Sequence, residues 1–216
     1  NGFAVFVRGT VPGDKIRTHI IKISKNYAIG IIDEILEPSP ERIESDCPVS
    51  KMCGGCSLRN MSYQEELNYK LSRVQEAVSR IGNIDFSYDI LNCGETIKHY
   101  RNKAQYPVLI ENGILTAGFY AYKSHRIIPC ADCLLQPAEF EKGIAAFSKW
   151  IEKNQITSYD EKTGRGLLRH IYFRKAFGTD EIMACAVVNA SDIPDKEYLI
   201  SLLQRAFYNL KSVVIN

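Results

Sequence analysis

The stretch DCPVSKMCGGCSL, Asp46 to Leu58, places the thiols of Cys47, Cys53 and Cys56 close together around a Gly-Gly turn. Thiolates at such spacing are soft ligands for zinc or iron, and both tetrahedral zinc and a cubane iron–sulfur cluster are normally held by four protein groups. The fourth ligand must come from elsewhere, and Cys130 and Cys133 in IIPCADCLLQP are the candidates. Spacing alone leaves two sets open. Cys53, Cys56, Cys130 and Cys133 would form a paired C-x2-C zinc site with a long insertion. Cys47, Cys53 and Cys56 with one distant cysteine have the uneven spacing of a [4Fe–4S] site. The bland alternative is inert thiols, but a Gly-Gly turn flanked by Lys51 and Arg59 is a poor place to bury three of them.

A second kind of chemistry is spread along the other half of the chain. From Lys98 to Lys175 there are thirteen Lys and Arg against seven Asp and Glu, although the whole chain carries only +2. The basic residues Arg101, Lys103, Lys123, Arg126, Arg165, Arg169 and Arg174 alternate with Tyr100, Tyr120, Tyr122 and Tyr172. On a strand face this pattern would offer rings for base stacking and cations for phosphates. The bland alternative turns the tyrosines to the core and the cations to solvent. His125 and His170 are expected to be hydrogen-bond partners rather than acid–base catalysts, since no carboxylate stands near them in sequence. Cys185, in the apolar run MACAVV, is expected to be core, and neither it nor Cys93 is assigned a catalytic role.

The elements that must position these residues can be read from periodicity. Residues 3–44 hold short apolar runs, FAVFV, THIIKI and YAIGIIDEIL, separated by the turn sequences VPGDK and SKN. They predict a small antiparallel β-barrel over residues 1–45. Pro38, Pro40 and Pro48 then mark a boundary. Ser62 and Glu65 form a capping-box pattern, and Leu67, Leu71, Val74, Val78 and Ile81 recur at helical spacing before Gly82, which predicts a helix over 62–82 with that face in a core. Beyond His99, a hairpin around Asn112-Gly113, a helix with Ile144, Phe147 and Ile151, two strands around Gly178-Thr179-Asp180 and a last helix predict an α+β domain, 46–216 in all. No Gly-rich phosphate loop is present, which argues against a doubly wound nucleotide-binding fold within these residues.

Composition bounds the class. A chain of 216 residues that is 45% hydrophobic can bury an ordinary core. It contains no apolar run long enough for a membrane span and no signal peptide at its start, so a cytoplasmic, monomeric protein without a membrane partner is expected, with thiols kept reduced. The first residue is Asn and the terminal SVVIN reads as an interrupted strand, which points to a piece of a longer protein.

These motifs carry a resemblance. CPVSKMCGGCSLRNMSYQEELNYK, followed by YRNKAQYPV, GFYAYKSHRIIPCADCLLQ and GLLRHIYFR, resembles the RNA (uracil-5-)-methyltransferase family, above all its 23S rRNA enzymes, and the opening GFAVFVRGTVPGD is similar to the OB-like TRAM domain of many members. The resemblance covers essentially the whole chain. It implies a [4Fe–4S] cluster on Cys47, Cys53, Cys56 and Cys133, with Cys133 matched because the family's fourth ligand directly precedes an apolar-Gln run, here Leu134-Leu135-Gln136; Cys130 is then an additional thiol. It further implies an RNA partner met by Arg101, Lys103, Lys123, Arg126, Arg169 and Arg174. The family's cysteine nucleophile, its carboxylate and its S-adenosylmethionine domain follow the region matched here, so the chain by itself is expected to be inactive, and the 62–82 helix is expected to pack on that further domain.

Overall fold

A computed structural model describes residues 2–85, 87, 94 and 96–216. They fold as two compact units, the first of 1–50 with 56–95 and the second of 51–55 with 96–216. Cys93 lies outside the described residues. The class is α+β, and no described helix is long and apolar enough to cross a membrane.

In the first unit, β1 (Ala4–Val7), β2 (Lys15–Ile23) and β3 (Tyr27–Glu37) form a sheet in the order β1-β3-β2. The Ser24-Lys25-Asn26 turn makes β2 and β3 an antiparallel pair, as its chemistry predicts. Strand β1 then adds to the free edge of β3 and runs parallel to it. This corrects the expectation of an antiparallel barrel: among the described residues three strands make an open sheet with two edges and do not close. Long-range polar contacts compensate for its small size. The Asp14 carboxylate, its side chain only 1% exposed, accepts the N–H groups of Val11 at 2.7 Å and Ser39 at 2.9 Å and the Nε of Arg42 at 3.0 Å. Arg42 reaches on to the carbonyl of Gly9 at 2.7 Å, so one ion pair ties the VPGD turn to the PSPER segment.

Helix α1 (Tyr63–Glu76), continued by a π turn over Ala77–Ile81, begins where Ser62 Oγ accepts the N–H of Glu65 at 3.2 Å. The reciprocal half of the box is not made, because the N–H of Ser62 donates to the Glu41 carbonyl at 2.9 Å. The expected core role of the helix fails: none of its residues is buried, and Ile81 is 86% exposed. Periodicity marked an apolar face but not a partner for it.

The second unit is built on a six-stranded mixed sheet, ordered β6-β5-β4-β7-β8-β9, from β4 (Lys103–Glu111), β5 (Ile114–Tyr120), β6 (Ile127–Pro129), β7 (Leu168–Lys175), β8 (Ile182–Val188) and β9 (Leu210–Ile215). Asn112 and Gly113, both at positive φ, turn β4 into β5 as NG turns do. Helices α2 (Phe140–Asn154) and α3 (Lys196–Ala206) lie against the sheet, and β8-α3-β9 gives the one parallel pair of this sheet among the described strands. The core gathers Tyr106, Phe140, Phe147, Trp150, Ile171, Phe173, Leu199 and Leu203, every one of them essentially without exposure. Phe173 is central, with ring centroids 5.2 Å from Phe140, 5.6 Å from Phe207 and 6.0 Å from Phe147. Helix α2 comes this close because Gly143 has no Cβ; one placed there would stand 2.5 Å from the ring tips of Phe173 and Phe207.

Gly143→Ala should lower the stability of the second unit by about 1–3 kcal/mol through overpacking, measured by urea unfolding on the fluorescence of Trp150, the single tryptophan. In the first unit Arg42→Ala should cost about 3 kcal/mol, because it leaves the Asp14 charge buried and unpaired. Hydrogen bonding to Arg42 first, and to two backbone N–H groups, holds Asp14 well below the usual carboxylate range despite burial. Its folded value therefore lies under its unfolded value of about 3.9. The stabilisation is present above that pH and is lost as pH falls below it, so the wild type should lose stability in acid more steeply than Arg42→Ala, followed by circular dichroism.

Candidate functional site

The thiols are placed by short segments of irregular backbone. In the first unit, Cys47 opens a turn in which its carbonyl accepts the N–H of Ser50 at 3.1 Å, while its own N–H donates to Ser45 Oγ at 3.2 Å. The carbonyl of Cys56 accepts from Arg8, and Asp46 pairs with Arg59. In the second unit, the 51–55 segment lies along β5: Cys53 bridges Ala121, and the N–H of Gly54 donates to the Tyr120 carbonyl at 2.9 Å. A Cβ on Gly54 would meet that carbonyl oxygen at 2.9 Å and the backbone of Tyr122 at 3.0 Å, so the first glycine of the Gly-Gly pair is there for close approach.

Cys133 follows β6 in the same unit. Its thiol is brought down to about 6, first by a hydrogen bond from Cys130 and then, against the cost of burial, by the N–H groups of Leu135 and Gln136 and the charge of Arg101. These groups favour the thiolate, the form that ligates metal. Arg101, expected at an RNA surface, sits where its cation acts on Cys133, and its N–H donates to the Leu135 carbonyl at 3.0 Å. The hydroxyl of Tyr106 is wholly buried and, among the described residues, has no hydrogen-bond partner. Burial first, then the charges of Cys133, Cys130 and Asp132, push this phenol far up. An orphaned donor beside a cysteine thiolate fits a sulfur-rich group bound there, which would give it an acceptor. Among the described residues no three His, Cys, Asp or Glu side chains gather as a metal-binding group. Cys185 is buried in β8, as its strand pattern implies, and burial pushes its thiol up.

The cationic residues separate into groups within the second unit. Lys103 on β4 and Arg174 on β7 are direct cross-strand partners, and both are exposed. Next along the same pair, Gln105 stands opposite Tyr172, and the Lys103 ammonium lies 6.0 Å from the Tyr172 ring. Alternation dictates this arrangement: Ala104, Tyr106, Ile171 and Phe173 enter the core, so Lys103, Gln105, Tyr172 and Arg174 point to the other face. Lys123 and Arg126 occupy the turn between β5 and β6, with Lys123 Nζ 5.4 Å from the Tyr122 ring.

Arg169 forms a third place, its guanidinium 4.4 Å from the Tyr159 ring. Tyr120 stacks on His125 with centroids 5.3 Å apart, and His125 Nδ1 lies 3.4 Å from Glu161. Burial raises Tyr120, with Glu161 adding to it and Arg169 opposing. His170, whose Nδ1 is buried without a partner among the described residues, is lowered by burial and by Arg169. Sequence reasoning found Tyr120, His125, Arg169 and His170 but missed Tyr159 and Glu161. The 155–167 segment returns them, and Gly166 permits it: at φ +99° it lies so close to Ser158 that a Cβ would stand 2.0 Å from the Ser158 carbonyl oxygen. The Gly-Arg-Gly pattern was the available signal.

No family model matches the chain. The chain is similar over its whole length to proteins named as uncharacterized RNA methyltransferases: 40% identical to one from Clostridium tetani, of which it covers 47%, and 38% identical to one from Caldanaerobacter subterraneus, of which it covers 48%. A solved structure, the tRNA (uracil-54, C5)-methyltransferase of Pyrococcus abyssi in complex with S-adenosyl-L-homocysteine, shares the fold with a TM-score of 0.65 over 90% of this chain and 44% of its own, at 22% identity. The chain thus spans about half the length of the RNA methyltransferases it matches.

Proposed function

We propose that this chain is the RNA-recognition and cluster-bearing portion of a cytoplasmic, monomeric, S-adenosylmethionine-dependent RNA (uracil-5-)-methyltransferase that forms 5-methyluridine in 23S rRNA. The observation that carries this reading is the β4–β7 face, where core packing turns Lys103, Arg174 and Tyr172 outward together. Cations there would meet phosphates and the ring would stack a base, with Lys123, Arg126 and Arg169 extending the contact. Similarity over the whole of this chain to about half the length of proteins named RNA methyltransferases supports it.

In this reading the first unit is TRAM-like, and Cys47, Cys53, Cys56 and Cys133 hold a [4Fe–4S] cluster. Bound there, such a cluster supplies a structural cross-link with no open coordination position. The protein's own contributions are the lowered thiol of Cys133, the charge of Arg101 beside it, and the buried hydroxyl of Tyr106 as a donor to sulfur. In the same reading S-adenosylmethionine and the nucleophile are supplied outside the part of the family matched here, and the helix α1 with its π turn, where Val74 and Ile81 are exposed, packs against that further domain.

Binding of a short uridine-containing single-stranded RNA, followed by fluorescence anisotropy against salt, tests the face. The double variant Lys103→Ala, Arg174→Ala should weaken binding and flatten the salt slope by about 1.4, two phosphate contacts at about 0.7 each for single strands. An unchanged slope would remove this face from the interface. Gly54→Val should lift the 51–55 segment from β5 and reduce the iron retained on anaerobic purification well below wild type. Full iron content in that variant, or zinc in place of iron in the wild type, would contradict the ligand set.

A further inference from the structure

A carboxylate stands within the cationic surface of the second unit, at a place the β4–β7 face does not account for. Glu161 lies at the tip of a tight loop that returns to β7. The N–H of Tyr159 donates to the Leu168 carbonyl at 2.8 Å, and the N–H of Asp160 to the Arg165 carbonyl at 2.7 Å. The Asp160 carboxylate accepts the N–H groups of Lys162 at 2.7 Å and Thr163 at 3.2 Å, so the tip is fixed without any contribution from the Glu161 side chain. From the β5–β6 turn, His125 sets its Nδ1 3.4 Å from the Glu161 carboxylate and stacks its ring on Tyr120. The side chains of His125 and Glu161 are 79% and 62% exposed. An ion pair so open to water adds little to stability, which leaves the arrangement to be explained by what it can bind.

Arg169 completes the group. Leu168 stands opposite Val188 and His170 opposite Val187, so Arg169 is the extra residue of a bulge, and a bulge re-aims its side chain. The guanidinium lies over the Tyr159 ring. Three residues separate Arg169 from Tyr172, about 10 Å along the strand, so this group continues the β4–β7 face. Its carboxylate gives it a different chemistry. A carboxylate repels phosphates and only accepts hydrogen bonds, so on an RNA-binding surface it is suited to the donor edge of a base. Guanine is the base whose Watson–Crick edge sets two donors side by side, N1–H and the N2 amine, to match the two carboxylate oxygens. Adenine, cytosine and uracil each place an acceptor next to a single donor group.

We propose that Tyr120, His125, Glu161 and Arg169 form a reading site for an unpaired guanine of the bound RNA. The base stacks on the Tyr120–His125 pair, Glu161 accepts its N1–H and N2 amine, and Arg169, braced on Tyr159, meets a flanking phosphate. His125 is a positioning residue here: it holds one lone pair of the carboxylate and leaves the others for the base. The proposal rests on the RNA-binding reading above and adds a sequence preference to it. The Lys103 and Arg174 cations meet phosphates, which position RNA without reading its sequence.

The test is fluorescence anisotropy of the 216-residue chain with short single-stranded oligouridylates that carry guanosine, inosine or adenosine at one central position. Inosine lacks the N2 amine, and adenosine presents one donor group beside an acceptor. The wild type should bind the guanosine RNA about tenfold more tightly than the adenosine RNA, with inosine between them. In Glu161→Gln the amide offers a donor beside an acceptor, as adenine does, so the guanosine preference should vanish or pass to adenosine. Affinity for plain oligouridylate should stay at the wild-type level in that variant, which separates a lost reading contact from a lost fold. Lys103→Ala, Arg174→Ala should weaken all the RNAs alike and keep the order. Equal binding of guanosine and adenosine RNAs by the wild type, or an unchanged guanosine preference in Glu161→Gln, would overturn the guanine site and leave the RNA face standing. Binding of none of these RNAs would overturn both.

Discussion

The packing of Phe173 decides more of this molecule than any other contact. It stands in β7 at the middle of the sheet, with Phe140, Phe147 and Phe207 around it and Tyr106 at 6.3 Å from the neighbouring strand. Side chains alternate along a strand, so fixing Phe173 and Ile171 in the core fixes Tyr172 and Arg174 on the opposite face. The direct pairing of Lys103 with Arg174 then sets β4 in the same register. Two like charges side by side oppose each other. Their juxtaposition is therefore a cost that core packing imposes, and a polyanion would relieve it.

The thiol region obeys a different constraint, close backbone approach. Gly54 on β5 and Gly118 against β6 both occupy places where a methyl group does not fit. Through them Cys53 and Cys130 are placed by backbone hydrogen bonds rather than by side-chain packing. Around Cys133 stand N–H donors and a cation that favour the thiolate, and among the described residues the buried Tyr106 hydroxyl has no hydrogen-bond partner. Arg101 consequently has a role in the protein's own electrostatics that its place among basic residues did not reveal.

Much of the second unit was legible because its signals are local. The NG turn, the spacing of Ile144, Phe147 and Ile151, and the apolar run ending at Val188 each specify an element within a few residues, and each is found. The first unit was less legible. Whether β1 adds to β3 in parallel depends on a contact between distant segments, and no turn chemistry encodes it. The apolar stripe of α1 was read as core, but amphipathicity states only that a helix has an apolar side. Of the site, residue types and the alternation on β7 could be read in advance. The arrival of Glu161 beside His125 and of Tyr159 beside Arg169 could not, because a loop closed by Gly166 brings them there.

The proposed use of the β4–β7 face rests on where RNA lies on this surface, and photocrosslinking measures that directly. A 5-iodouridine-substituted single-stranded RNA would be irradiated on the folded chain and the attached residues mapped by mass spectrometry. The account predicts attachment at Tyr172, with further sites at Tyr120 or Tyr122. Attachment confined to the first unit, or none at Tyr172 while the RNA stays bound, would contradict it.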